Sequence, residues 1–100
     1  MDYHNYYIGE YCIIRTYAAG VHVGNLADYD PVTRHAQLHT ARRIWSWGGA
    51  FTLSAVAQRG PTSGKISLPV DSIIVAQVEE IIPCSVEATR VLQEFPEHKP

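Results

Sequence analysis

The apolar positions of this chain recur at a period of two over most of its length and at a helical period only twice. Tyr11, Ile13, Arg15 and Tyr17 alternate with Cys12, Ile14 and Thr16, β-branched or aromatic except at Cys12 and Arg15. That pattern predicts a strand over 11–17. Ala18-Ala19-Gly20 makes a short reversal, and 21–29 reads as a second strand with a weak point at Gly24. Asp30-Pro31 marks a turn. A third strand, bent in its middle, is expected over 34–47 and is broken by Gly48-Gly49. Residues 51–58 follow as a short helix with Phe51, Ala55 and Val56 on its apolar stripe and Gly60-Pro61 as its stop. Strands are then expected over 65–70 and 73–82, the last ended by Pro83. Ser85 is placed to cap a closing helix, with Glu87 in its first turn. Ala88, Val91, Leu92 and Phe95 share one face of that helix, which lies on the sheet or docks on a neighbour, and Pro96 ends it.

These elements define an α+β chain, mainly β: a small antiparallel sheet or partly open barrel of about five strands with two short helices. The connections are too short for parallel crossovers, except where the first helix intervenes. A partly ordered tail is expected over 1–10, a single ligand-binding domain over 11–95 and a polar tail over 96–100. No internal repeat or low-complexity segment interrupts it.

Composition narrows the class. One hundred residues, 46% of them hydrophobic, suffice for one core and exclude a disordered chain. No apolar run approaches the ~18 residues of a membrane span, and Met1-Asp2-Tyr3-His4 lacks the basic start of a signal peptide. Cys12 and Cys84 stand far apart in apolar text, the setting of buried thiols in a reducing cytoplasm rather than of a disulfide framework. No Cys or His spacing suits zinc, and no cofactor is expected.

The net charge of −2 hides a division. Residues 31–70 hold five basic residues (Arg34, Arg42, Arg43, Arg59, Lys65) and no acid, whereas the other sixty hold three basic and ten acidic ones. A local anion-seeking patch on an acidic chain suits a small anion better than polymeric nucleic acid. The centre of that patch is HTARRIWSWGGAF, residues 39–51. In an extended conformation His39, Ala41, Arg43, Trp45 and Trp47 share one face, and Leu38, Thr40, Arg42 and Ile44 the other. Guanidinium forks pair phosphates and indole faces stack bases, the two contacts that hold a nucleotide; the alternative is an ordinary core-and-rim strand with a solvated arginine face. Gly48-Gly49 before a helix allows a ligand close to backbone N–H groups, or simply ends the strand. Tyr17 and Gly20 flank a turn that requires a positive φ, whether or not it also meets a ligand. Arg15, inside an apolar strand, must meet an anion, a partner or the acidic Glu79-Glu80 run.

Catalytic signatures are absent. His22-Val23-Gly24 and His39-Thr40-Ala41 do not supply the paired H-x-[ST] elements of a metal-independent phosphoesterase, and no nucleophile elbow, P-loop or H-E-x-x-H occurs. A messenger-cleaving enzyme using His22 or His39 remains the alternative from another class. A structural or protein-binding component with Arg15 and the tryptophans as interface anchors is a third.

Three blocks in order, YCIIRTYAAGVHVG, HTARRIWSWGGAFTLSAVA and VEEIIPCSVEA, resemble a family of small phage-encoded proteins. Its pattern runs V-R-T-x-x-A-G-V-x-x-G, then N-A-R-R-x-W-x-W-x-G-A and S-L-x-x-L-A, then I-E-I-I-P-C-T. The family is the first Thoeris anti-defence sponge family. The resemblance covers residues 11–88 and implies sequestration, without cleavage, of a cyclic ADP-ribose signal or a related cyclic oligonucleotide in the cytoplasm of the infected bacterial host. It implies a homo-oligomer and ligand contacts from Arg15, Tyr17, Gly20, Arg42, Arg43, Trp45, Trp47 and Gly49. This chain departs from the pattern at Thr40, at Gly49-Ala50-Phe51 and in a short loop over 61–65.

Overall fold

Four consecutive residues near the start of the chain, Tyr11, Cys12, Ile13 and Ile14, are all buried. A strand can bury successive side chains only when both its faces are covered. The strand is β1 (Tyr11–Thr16), and the structure, a computed structural model describing residues 6–99, covers it with a helix layer on one face and its own curled sheet on the other.

The chain continues through β2 (Val21–Asp30), β3 (His35–Gly48), α1 (Leu53–Arg59), β4 (Ser63–Ile66), β5 (Val70–Val75), β6 (Val78–Pro83) and α2 (Val86–Glu94). The α+β, mainly β architecture expected from the sequence is what forms, as a curled antiparallel half-barrel. The sheet runs β4-β3-β2-β1-β6, with β5 also beside β3. β3 is long enough to serve two neighbours on one side: its 36–41 half pairs with β5 and its 44–48 half with β4.

Tyr11 and Ile13 join Val23, Ile44 and Ile66 against Val56 and Ala57 of α1 and Leu92 of α2. Cys12 and Ile14 face the other way, with Leu26, Ala36, Leu38, Ala41, Val75 and Val78. This second cluster takes residues from β5 and from β6, the strands at opposite margins of the sheet, so the sheet curls around it. The curl is closed at one end by Ala76-Gln77 alone. Gln77 stands at φ 56°, Tyr17 N donates to Gln77 O at 3.0 Å, and Val78 N donates to Arg34 O at 3.0 Å.

That corner corrects the strand expected over 73–82. The apolar alternation continues through it, but the backbone reverses at Gln77 and delivers β5 to β3 and β6 to β1. The strand expected over 65–70 is likewise shifted: β4 ends at Ile66, and Ser67 turns the chain toward β5, its Oγ donating to Leu68 O. The first helix begins later than expected. Thr52 caps it, accepting from Ala55 N at 3.2 Å, which leaves Phe51 outside the helix and 97% exposed rather than on its buried stripe. The second helix forms from Val86 under the Ser85 cap. Ser85 serves both helices, its Oγ accepting from Ala88 N and donating to Gln58 O while its N–H donates to Ala57 O.

Of the tail expected over 1–10, residues 1–5 lie outside the described residues. Residues 6–10 form a turn bound to β2, with Gly9 N donating to Leu26 O at 2.7 Å and Leu26 N to Glu10 O at 2.9 Å. No described helix is long and apolar enough to cross a membrane.

Candidate functional site

The face that each residue of β3 presents is set by two bulges. Thr40 stands at φ 52°, and β3 spends three residues from His39 to Arg42 against two on β2. A second bulge places one extra residue, Trp45, between Ile44 and Ser46 opposite β4. A bulge inverts the alternation beyond it. The single face drawn through His39, Ala41, Arg43, Trp45 and Trp47 is therefore split. His39 is exposed beside Ser72 of β5, Ala41 belongs to the inner cluster, and Trp47 joins the helix-layer cluster with Ile44.

Arg43 and Trp45 remain together. They line a cavity of about 240 Å³ with His22, Ala41, Arg42, Ser67, Val70 and Ile73, at the inner face of the sheet where β4 gives way to β5. Arg43 and His22 are direct cross-strand partners, and His22 in turn faces Ile14. Arg43 N donates to the Ser67 hydroxyl at 2.8 Å, while the Arg43 guanidinium has no carboxylate partner among the described residues. Among the described residues no Asp or Glu lines the cavity.

His22 is 1% exposed, and its Nε2 lies 3.0 Å from Ala19 O. That contact requires the proton on Nε2 and leaves Nδ1 as acceptor. Burial, and secondarily the charge of Arg43, hold its pKa below the usual histidine range, against the opposing effect of the Ala19 carbonyl. The ring is neutral at pH 7.

Arg42 touches the same cavity wall but is committed elsewhere. It is 4% exposed; Nε donates to Ser67 O at 2.7 Å, and Nη1 to Leu92 O at 2.8 Å and Phe95 O at 2.7 Å. Leu92 and Phe95 carry the orphan carbonyls at the negative end of α2, a helix with no basic residue in its last turn. Arg42 supplies that missing cation from β3.

The other sequence candidates stand apart. Arg15 is exposed, with Nε 2.7 Å from Glu80 Oε1 on β6, the ion pair with the acidic run. Its cross-strand neighbour Val21 packs into the helix layer, so Arg15 and Arg43 leave opposite faces of the sheet. Tyr17 is 73% exposed on the β1–β2 turn, where Gly20 at φ 83° lets its carbonyl receive Thr16 N and Thr16 Oγ1. At Gly49, φ is 81° and the space a Cβ would take is filled by the Thr62 side chain. Thr62 also donates to Gly48 O. The Gly-Gly step is thus a packing junction three residues ahead of the Thr52 cap, not a cradle at a helix start.

Of the eight candidates, Arg42, Arg43 and Trp45 converge on one cavity. His22, Ala41, Ser67, Val70 and Ile73 complete it, and of these only His22 and Ala41 were singled out in the sequence, the one as a possible acid or base and the other on the β3 face. Among the described residues no group of His, Cys, Asp and Glu could hold a metal ion.

Fold and site together define a small α+β half-barrel with a cationic, aromatic-edged cavity at one end of its inner face. The chain belongs to the family described as a domain of unknown function (DUF6948), whose model matches residues 9–92. That span holds all six strands, α1 and every residue lining the cavity. No curated protein and no solved structure matches the chain.

Proposed function

We propose that this chain is a non-enzymatic binding protein that sequesters a small cyclic nucleotide messenger, of the cyclic ADP-ribose kind or a cyclic oligonucleotide, in the cytoplasm of a phage-infected bacterium. The observation that carries the reading is the pairing of Arg43 with the Trp45 indole at one cavity, where among the described residues the guanidinium has no carboxylate partner and no acid lines the wall. A free guanidinium fork matches phosphate oxygens, and an exposed indole face stacks a base for ~1–3 kcal/mol. The likeness of three sequence blocks to the first Thoeris anti-defence sponge family supplies the messenger class and the phage setting.

The same cavity is poorly equipped for cleavage. Ser67 Oγ already accepts from Arg43 N and donates to Leu68 O, and among the described residues His22 has no cavity-lining carboxylate to orient or charge it. At about 240 Å³ the cavity is smaller than the ~300–1,000 Å³ of usual small-molecule sites. It suits one base or one ribose phosphate, with the rest of the messenger at its mouth, where the lining residues Trp45 and Val70 are 56% and 44% exposed. A second copy of the chain over that apolar rim would enclose the remainder, in keeping with a homo-oligomer.

The test is depletion. Purified protein is incubated with cyclic ADP-ribose isomers and cyclic oligonucleotides, filtered, and then heated to release what it held. Loss of one messenger before heating and its intact recovery afterwards supports sequestration. Altered product converts the reading to an enzyme working through His22, and no depletion of any of them refutes both. Arg43→Glu abolishes depletion with an unchanged melting temperature; a change of sedimentation instead points to an interface role.

A further inference from the structure

The segment that follows α2 is pinned on both sides of a proline. Phe95 O is held by Arg42 Nη1 at 2.7 Å, and three residues later His98 N donates to Ile66 O on β4 at 2.8 Å. Pro96 between them has a fixed φ and few conformations to lose. The geometry fixes where the next side chain goes: the imidazole of His98 meets the indole of Trp45 edge to face, ring centres 6.4 Å apart and planes at 83°. That arrangement is a favoured one for two aromatic rings.

Trp45 needs such a neighbour. It is the extra residue of a bulge, so its side chain is not held by the regular pleat, and it stands at the rim of the cavity more than half exposed. Arg42 closes the circuit, since its Nε binds Ser67 O in the opposite cavity wall while its Nη1 binds the end of α2. We infer that residues 96–99 form a strap that holds the Trp45 indole in place as one wall of the cavity, with His98 as a positioning residue. The strap lies beyond residue 92, where the match to the family model ends.

The inference concerns the tail–Trp45 contact itself, and only its affinity arm rests on the function proposed above. Trp45 and Trp47 are the two tryptophans of the chain, so Trp47→Phe leaves Trp45 as the single indole reporter. In that background the emission maximum and acrylamide quenching are compared for His98, His98→Ala and His98→Phe. His98→Ala shifts emission to the red and raises quenching, and His98→Phe restores both, because the exposed tail contributes to neither buried cluster. Unchanged emission and quenching in His98→Ala overturn the strap. Cyclic ADP-ribose titrated into the Trp47-containing proteins then binds His98→Ala about two- to tenfold more weakly, the range of one lost aromatic contact, and binds His98→Phe as the parent. Altered fluorescence with equal affinity in the parent and His98→Ala overturns the positioning role. Absence of cyclic ADP-ribose binding in all three, with the fluorescence change present, overturns the cyclic ADP-ribose form of the proposed function while the strap stands.

Discussion

Arg42→Met takes away the guanidinium of a residue that is 4% exposed and keeps most of its aliphatic stem. Three bonds to backbone carbonyls go with it: to Leu92, to Phe95 and to Ser67. A hydrogen bond from a charged donor contributes about 1.5–3 kcal/mol, and three from one side chain are not additive. Part of the loss is recovered because a buried cation is replaced by an apolar group that needs no solvation. The net expectation is a destabilisation of about 3 kcal/mol, a large part of the ~5–15 kcal/mol that holds a domain of this kind folded. At ~4–8 °C per kcal/mol for a chain of this length, the thermal midpoint falls by roughly 12–24 °C. Arg42→Lys keeps the charge but cannot span three carbonyls, and loses about half as much. Urea unfolding followed by circular dichroism gives the free energies, and amide exchange in α2 shows where the loss falls, with the last turn of α2 opening first. A stability within about 1 kcal/mol of the parent, or unchanged protection in α2, refutes the clamp and returns Arg42 to the solvent-facing, ligand-seeking role its sequence neighbourhood suggests.

Two further outcomes follow from buried titratable groups. Burial holds the His22 pKa below the value it takes when unfolded, so the unfolded chain binds the proton more readily. The stability this residue contributes is complete above about pH 6.5 and declines as pH falls below it; the drop in urea midpoint between pH 7.5 and pH 5 is therefore smaller in His22→Gln, and an equal drop in the two proteins refutes the assignment. Burial also pushes the thiols of Cys12 and Cys84 up to about 12, and they face opposite layers of the fold. Neither reacts with iodoacetamide at pH 8 until urea unfolds the protein, as intact mass reads directly, and rapid native alkylation contradicts the burial.

What the sequence makes legible, and what it hides, separates by mechanism. Period-two alternation, turn dipeptides and the Ser85 cap act locally, and they placed β1, β2, β3 and α2 close to where they form. The bulges at Thr40 and Trp45 have no local signature, since neither residue is one that favours a positive φ or an unpaired ladder position, yet they decide which arginine meets which tryptophan. Gln77 hides a chain reversal inside an unbroken apolar alternation for the same reason. Arg42 and Arg43 are adjacent and identical in type; only the layer behind each distinguishes the one that holds a helix end from the one left facing a cavity. Ser67, Val70 and Ile73 enter the site because β4 and β5 share one side of β3, a fact of topology that no short window contains.

The pairing of β1 with β6 joins residues near 11–16 to residues near 78–83, so the most deeply covered strand of the sheet closes across most of the chain length. In synthesis β1 precedes every other strand of the sheet, and its partner on that side is the last of the six to follow. Until β6 arrives, Cys12 and Ile14 lack Val78 over them, and β1 offers an unpaired apolar border to any other chain. Sheets dominated by such distant contacts fold in about milliseconds to seconds rather than microseconds. Copies of the chain made close together thus meet at the β1 border before β6 closes it, and the time that last strand takes sets how long the border stays open.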